Sequence, residues 1–195
     1  MGYSIDPISD NCYPGTSVLI NKFDIRDEAK LNEVESVVVS ARNAEWLNEP
    51  EAFTFDFFHY KAIHHFRFSD LYDWAGQVRT VNISKKGTRF TLAENIERQA
   101  ELIFKRLKDC NYFKGLPHDE FVDELVDFYC VTNELHPFRE GNGRTQRAFL
   151  TQLIRNAGYG INFADMDTEL LMIATIQSAQ GVTDLLKQII SESII

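Results

Sequence analysis

Between His136 and Arg147 the chain reads H-P-F-R-E-G-N-G-R-T-Q-R. The stretch collects an imidazole, a carboxylate, a glycine-flanked turn and two spaced arginines. His136 titrates near neutrality, so it can take a proton from a hydroxyl. Glu140 is a hard oxygen donor of the kind Mg²⁺ accepts where it bridges phosphates. Gly141-Asn142-Gly143 permits positive φ and close backbone approach, so successive N–H groups can face an anion. A helix beginning there would add its N-terminal N–H groups and its dipole. Arg144 and Arg147 stand three apart, on one face of such a helix, and both can reach phosphate oxygens. The chemistry described is a base beside a phosphate cradle. It is not a Walker A loop, because no Gly-Lys-Ser/Thr follows the turn.

Each of these residues also has an ordinary reading. A helix-end histidine, a surface carboxylate paired with arginine and a helix-start turn are all common. Their coincidence in one stretch favours chemistry. Pro137 and Phe138 read as structural, and Arg139 as exposed. His64 and His65 are neighbours, so on a helix they face different ways. Neither has a ligand partner at helical spacing, and His64 reads as structural rather than as a zinc ligand.

The elements around the stretch are mostly helical. Leu31, Val34, Val37, Val38 and Ala41 predict a helix over 27–43. Phe58, Ala62, Ile63 and Phe66 predict one over 55–68, with Phe55, Phe57 and Phe66 left open between core and interface. Residues 80–90 change to β-branched types around Lys85-Lys86-Gly87 and predict a short hairpin. Helical period returns over 92–110. The clearest stripe is Phe121, Leu125, Phe128, Tyr129, Thr132 and Leu135, a helix over 118–135 that Pro117 starts and Pro137 ends. Further helices fit 143–156, 167–179 and 182–193, with Gly158 and Gly160 ending the first of these. Residues 1–20 are turn-rich and read as an extended arm over the surface, and 21–195 as a single domain. The fold class is all-α with one short β-hairpin.

Composition narrows the function. A chain of 195 residues with 44% hydrophobic content, including 15 Phe, can bury a core of its own. Its net charge of −9 argues against a nucleic-acid partner. Cys12, Cys110 and Cys130 form neither a disulfide framework nor a zinc motif. The first residues do not resemble a signal peptide, and no apolar run approaches the ~20 residues of a membrane span. The expectation is a cytoplasmic protein with no membrane partner.

Residues His136, Phe138, Glu140, Gly141, Asn142, Gly143, Arg144 and Arg147 resemble the Fic family signature, H-x-F-x-[D/E]-G-N-G-R-x-x-R, at every defined position. Leu71-Tyr72-Asp73-Trp74-Ala75-Gly76 with Arg79 is similar to the family's upstream stretch, and residues 81–90 to its flap. The resemblance is firm from Ile63 to Gly158. It implies a Fic-type helical bundle and a protein AMP-transferase, with ATP as substrate and Mg²⁺ as cofactor. AMP would pass to a Tyr, Thr or Ser hydroxyl of a protein target with release of pyrophosphate, and the enzyme would modify itself as well. It makes His136 the base and Glu140 the magnesium residue. Gly141, Asn142, Gly143, Arg144 and Arg147 bind the nucleotide. Asn82, Ile83, Ser84, Lys85 and Phe90 belong to a flap that aligns the target segment by strand pairing. Doc-type relatives carry lysine in place of Gly143 and phosphorylate, so glycine here favours AMP transfer. Transfer from UTP or CDP-choline and a deAMPylating hydrolase remain alternatives. Gln177, Ser178 and Gly181 match loosely the segment that approaches the nucleotide in relatives.

The resemblance also raises regulation. Many members are inhibited by a helix carrying [S/T]-x-x-x-E-[G/N], whose Glu pairs with the second motif arginine, here Arg147. Leu31-x-x-x-Glu35-Ser36 is a degenerate copy. The start around Tyr13-Pro14-Gly15 is similar to that of Fic toxins whose inhibitory helix comes from a small antitoxin. Inhibition in trans is therefore expected, as in a toxin–antitoxin pair, with inhibition by Glu35 in cis as runner-up. The protein target and any homo-oligomer stay open.

Overall fold

The structure is a computed structural model that describes residues 4–5, 11–46, 53–85 and 88–195. The rest of the expected 1–20 arm, and Lys86-Gly87 of the expected hairpin, lie outside the described residues. In chain order the elements are β1 (Ser4–Ile5), α1 (Glu28–Trp46), α2 (Phe57–Phe68), β2 (Ile83–Lys85), β3 (Thr88–Arg89), α3 (Ile96–Asp109), α4 (His118–Leu135), α5 (Asn142–Asn156), α6 (Thr168–Ser178) and α7 (Asp184–Ser193). The helical bundle and the hairpin agree with expectation, but the sheet has a third strand. β1 pairs antiparallel with the outer edge of β2, Ser4 opposite Ser84 and Ile5 opposite Ile83.

The bundle is organised around α4, which packs on α3, α5 and α7, while α2 packs on α5. The expected α4 stripe is buried at every position. It joins Tyr60, Phe104, Phe138 and Phe149 in the main core. Each such side chain contributes about 1.5–3 kcal/mol relative to exposure.

Two other helices bury part of their expected stripes, Leu31 on α1 and Ile63 on α2, and add polar residues to the inward face. On α2 the buried residues are His59, Tyr60, Ile63, His64 and Phe68, while Phe58 is 74% exposed. Phe55, left open in the sequence, belongs to the main core. On α1, Leu31, Glu35 and Val39 are buried at i, i+4 and i+8, and Val37 is exposed. In both cases polar side chains take core positions that hydrophobicity alone does not reveal.

Residues 11–20 are a packed loop rather than a surface arm. Tyr13, Val18 and Leu19 join Leu31, Val39, Phe68, Leu71 and Tyr72 in a second core. Asn21 fastens this entry. Its Nδ2 donates to Leu19 O and Ile25 O, and its Oδ1 accepts from the N–H groups of Phe23 and Ile25. The site lies where the two cores meet.

Candidate active site

α4 ends one residue earlier than Pro137 requires. His136 itself turns left-handed, with φ 41° and ψ 59°. A non-glycine residue holds that conformation at a cost of order 1 kcal/mol or more, so neighbours must fix it. Arg79 does so. Its Nε donates to His136 O at 2.9 Å, and its backbone N–H donates to Pro137 O at 2.9 Å. The same guanidinium donates through Nη1 to Val81 O at 2.7 Å and through Nη2 to Thr91 O at 2.5 Å. These two carbonyls sit at the roots of the hairpin, so Arg79 ties the flap to the backbone of His136.

The His136 ring is held from two sides. Nδ1 lies 2.9 Å from Asn133 O. A carbonyl can only accept, so Nδ1 carries the proton and the lone pair is on Nε2. Phe90 stacks on the ring, with centroids 3.7 Å apart. Burial pulls the imidazole down to about 3, against the Asn133 carbonyl and with help from the charges of Arg79 and Lys85. His136 is therefore neutral at physiological pH.

The loop after His136 is anchored rather than mobile. Asn142 accepts from Phe138 N–H through Oδ1 and donates to Phe138 O through Nδ2, both at 2.8 Å. Its side chain closes the loop, which leaves α5's first N–H groups, the donors the sequence pointed to, for an anion. Phe138 is buried against His64, with ring centroids 3.8 Å apart. His64 Nε2 donates to Glu140 O at 3.0 Å, while its Nδ1 accepts from Gly76 N–H at 2.8 Å. This bears out the structural reading of His64. Gly141 has φ 79°, and a Cβ there would sit 2.4 Å from the Phe68 ring. Glycine is required on both counts. Gly143 is an ordinary helical residue, and a Cβ on it would meet only Arg147 Nη1, at 3.4 Å.

A cavity of about 980 Å³ opens in front of this assembly. His136, Gly143, Arg144 and Arg147 line it, with Lys85, Thr88 and Phe90 from the flap side. Arg67 and Arg155 add two cations that the sequence did not single out, and Ile161, Phe163, Leu171, Met172 and Ile176 make an apolar wall. Arg67 donates through Nη1 to Arg144 O at 3.2 Å. Burial, then Arg144 and Arg147, lower its guanidinium to about 10. Burial likewise lowers Arg147, which has no carboxylate in ion-pair distance among the described residues. Four arginines facing one cavity need an anion.

Glu140, Gly141 and Asn142 are not among the residues that line this cavity, nor are Asn82, Ile83 and Ser84 of the flap. Asn82 Oδ1 accepts from Ala93 N–H at 2.9 Å, tying the root of the hairpin to the segment that follows it. Glu140 Oε1 accepts from Gly141 N–H at 2.8 Å and lies 3.6 Å from Arg144. Thr175, Ile176 and Ala179 line the cavity where Gln177, Ser178 and Gly181 were matched loosely. Arg139, read as exposed, is 5% exposed, and its Nη2 lies 3.5 Å from Cys12 Sγ. The loop that seats Phe138 turns the next side chain inward beneath residues 11–20.

Glu35 is placed differently from the inhibitory pattern. It is 7% exposed and accepts from Arg144 Nη2 at 2.5 Å and from the Tyr72 hydroxyl. The pattern pairs this Glu with Arg147; here it holds the first motif arginine. Among the described residues no group of three His, Cys, Asp or Glu side chains is placed to hold a metal ion, and no helix is long and apolar enough to cross a membrane.

Comparison with known proteins agrees with this geometry. The Fic/DOC family pattern matches residues 54–154, just over half of the chain. The chain is 38% identical over 177 residues to the probable protein adenylyltransferase y4lH of Sinorhizobium fredii, covering 90% of this chain and 89% of that relative. It is 37% identical over 191 residues to the protein adenylyltransferase VbhT of Bartonella schoenbuchensis, covering 98% of this chain but only 39% of VbhT's length. The BepC protein of Bartonella tribocorum, solved with bound AMPPNP, superposes with a TM-score of 0.89 at 28% identity, over 95% of this chain and 96% of that one. The N-terminal Fic domain of a Bartonella quintana effector with bound ADP superposes with the same TM-score at 26% identity, covering 95% and 94%.

Proposed function

This chain belongs to the Fic/DOC family, and on that footing we propose that it transfers AMP from ATP to a Tyr, Thr or Ser hydroxyl of a protein target, releasing pyrophosphate. It is an enzyme of adenylyl transfer, like relatives that match it over nearly their whole length. The observation that carries the reading is the tautomer of His136. With Nδ1–H given to Asn133 O, the lone pair on Nε2 belongs to a ring lining an arginine-rich cavity.

In the proposed reaction the acceptor oxygen attacks the α-phosphorus while its proton passes to Nε2. The bond from the α-phosphorus to the α,β-bridging oxygen breaks, and pyrophosphate leaves with that electron pair. An anionic triphosphate on the same wall raises the proton affinity of Nε2 and brings a low-lying base toward its working range. The first N–H groups of α5 and the open face at Gly143 receive phosphate oxygens as charge builds. Arg144 and Arg147 neutralise the β- and γ-phosphates, with Arg67 behind them. The apolar wall from Ile161 to Ile176 suits a nucleobase. Magnesium bound to a triphosphate takes one or two carboxylates and completes its shell with phosphates and water. Glu140 fits that need, because Oε2 has no protein donor among the described residues. The ion would supply charge neutralisation between phosphates.

The flap presents the target. Its main-chain groups would pair with an extended segment and bring a hydroxyl over His136, on one of the target's own residues or in self-modification. An antitoxin helix would act at Arg147, which no carboxylate of the described residues occupies.

Incubation with α-³²P-labelled ATP and Mg²⁺, wild type beside His136→Ala, tests the reading. Label on protein that disappears in the variant is the expected result. Label from α-³²P-labelled UTP, or from CDP-choline labelled in its phosphocholine group, with none from ATP, would reassign the nucleotide. No label with any donor, together with release of AMP from a pre-modified protein, would favour the hydrolase.

A further inference from the structure

Glu35 is a buried carboxylate on the core face of α1, next to the nucleotide wall and outside the chemistry above. It accepts from Arg144 Nη2 at 2.5 Å and from the Tyr72 hydroxyl. Tyr72 is itself stacked on Trp74, with centroids 4.4 Å apart. The Arg144 guanidinium lies over the Phe68 ring, 4.8 Å from its centroid. The ring and the carboxylate together define both the plane and the rotation of the guanidinium. Arg144 lines the cavity, whereas Glu35 and Tyr72 do not. Glu35 therefore grips the arginine from behind and cannot fill space that a phosphate needs. Nε and Nη1 of Arg144 have no protein acceptor among the described residues and remain for a ligand. Arg147, whose capture would block a γ-phosphate, is untouched by Glu35.

We propose that Glu35 is a positioning residue, which with Tyr72 orients Arg144 toward the nucleotide phosphates, and that it promotes rather than restrains nucleotide use. The inference rests on the proposed placement of phosphates at Arg144. An arginine side chain has several rotatable bonds, and holding it in one rotamer removes that ordering cost from nucleotide binding. A carboxylate is suited to the task because its two oxygens can serve a guanidinium and a hydroxyl at once.

The test compares Glu35→Gln, Glu35→Ala and Tyr72→Phe with wild type, alone and combined with Arg144→Ala. Each is read by AMPPNP titration, by KM and kcat for labelled ATP, and by Tm. Glu35→Ala should weaken AMPPNP binding and raise KM roughly ten-fold, with a smaller change in kcat. Glu35→Gln should lie between wild type and Glu35→Ala, and Tyr72→Phe nearer wild type. On the Arg144→Ala background the Glu35 effect on KM should vanish, because the two residues act as one unit. Faster transfer in Glu35→Gln or Glu35→Ala would overturn the inference in favour of self-inhibition. A Tm loss with unchanged AMPPNP affinity, or a KM effect that persists without Arg144, would overturn it in favour of simple helix anchoring. The AMPPNP titration reads Glu35 without transfer, so a wild type that binds nucleotide but labels nothing would count against the proposed reaction alone. A Glu35→Ala chain that does not fold leaves the decision to Glu35→Gln, which preserves shape.

Discussion

The cavity wall around His136 and the packed layer around His64 hold two histidines with nearly the same acidity and opposite tasks. Burial lowers both rings to about 3. On His64 both nitrogens are committed, Nε2–H to Glu140 O and Nδ1 to Gly76 N–H, among the rings of Phe68, Trp74 and Phe138. On His136 the backbone takes Nδ1–H, which puts the lone pair on Nε2, in a ring that lines the cavity. A strongly displaced pKa therefore does not identify the base. The proposal of His136 as base rests on its tautomer and on the cavity it lines. His64 instead holds the loop that holds His136, joining the upstream segment at Gly76 to Glu140.

Removing the rings should separate these tasks most sharply. His136→Ala should lower transfer by about 10²–10⁴-fold, the usual reach of general base catalysis, with AMPPNP affinity retained. His64→Ala should act first on folding. It leaves Gly76 N–H and Glu140 O without a partner and opens a hole between aromatic rings, for about 2–5 kcal/mol in urea unfolding. Equal transfer losses in two equally stable variants would erase the distinction. Gly141→Ala attacks the same layer from the other side and should cost about 1–3 kcal/mol, because a methyl at positive φ must push the Phe68 ring aside.

Acid should reach both histidines together. The unfolded rings bind protons below ~6.5, but the folded rings do not until about 3. Between those values the unfolded chain binds more protons, so stability rises with pH and falls as the solution is acidified from about 6.5 toward 3. Urea midpoints at pH 7 and pH 4.5 should show that fall. The acid limb of kcat/KM should likewise lie below pH 6.5. A limb above 6.5 would mean that the base is not the neutral His136 of this site. Arg79→Lys should also cost about 1–3 kcal/mol, from carbonyls left unpaired. It should appear in kcat more than in nucleotide affinity.

The same contrast explains what was legible in the sequence. α4 and α5 carry the motif on helices whose apolar residues recur at helical spacing, and both lie close to the expected ranges. His136, Gly143, Arg144 and Arg147 reach one cavity as their types implied. α1 and α2 were found as helices, with Leu31 and Ile63 inward as expected but without their buried polar residues. Glu35 and His64 sit on core faces because each has partners far along the chain, Arg144 and Tyr72 for one, Glu140 and Gly76 for the other. No local period encodes a buried polar group whose partners come from another element. Arg79 and Arg67 were missed as functional for the same reason, since their acceptors are backbone carbonyls that every residue possesses. Arg139 looked exposed because arginine usually is.

The reach of Arg79 has one more consequence. Its guanidinium bridges the carbonyl of His136 and both roots of the flap, so flap position and the His136 backbone are tied through one side chain. Whatever coupling free energy a strand docked on the flap confers on nucleotide binding, a bound nucleotide must return in equal measure to docking of that strand. Target and nucleotide should each tighten, or each loosen, the other's hold.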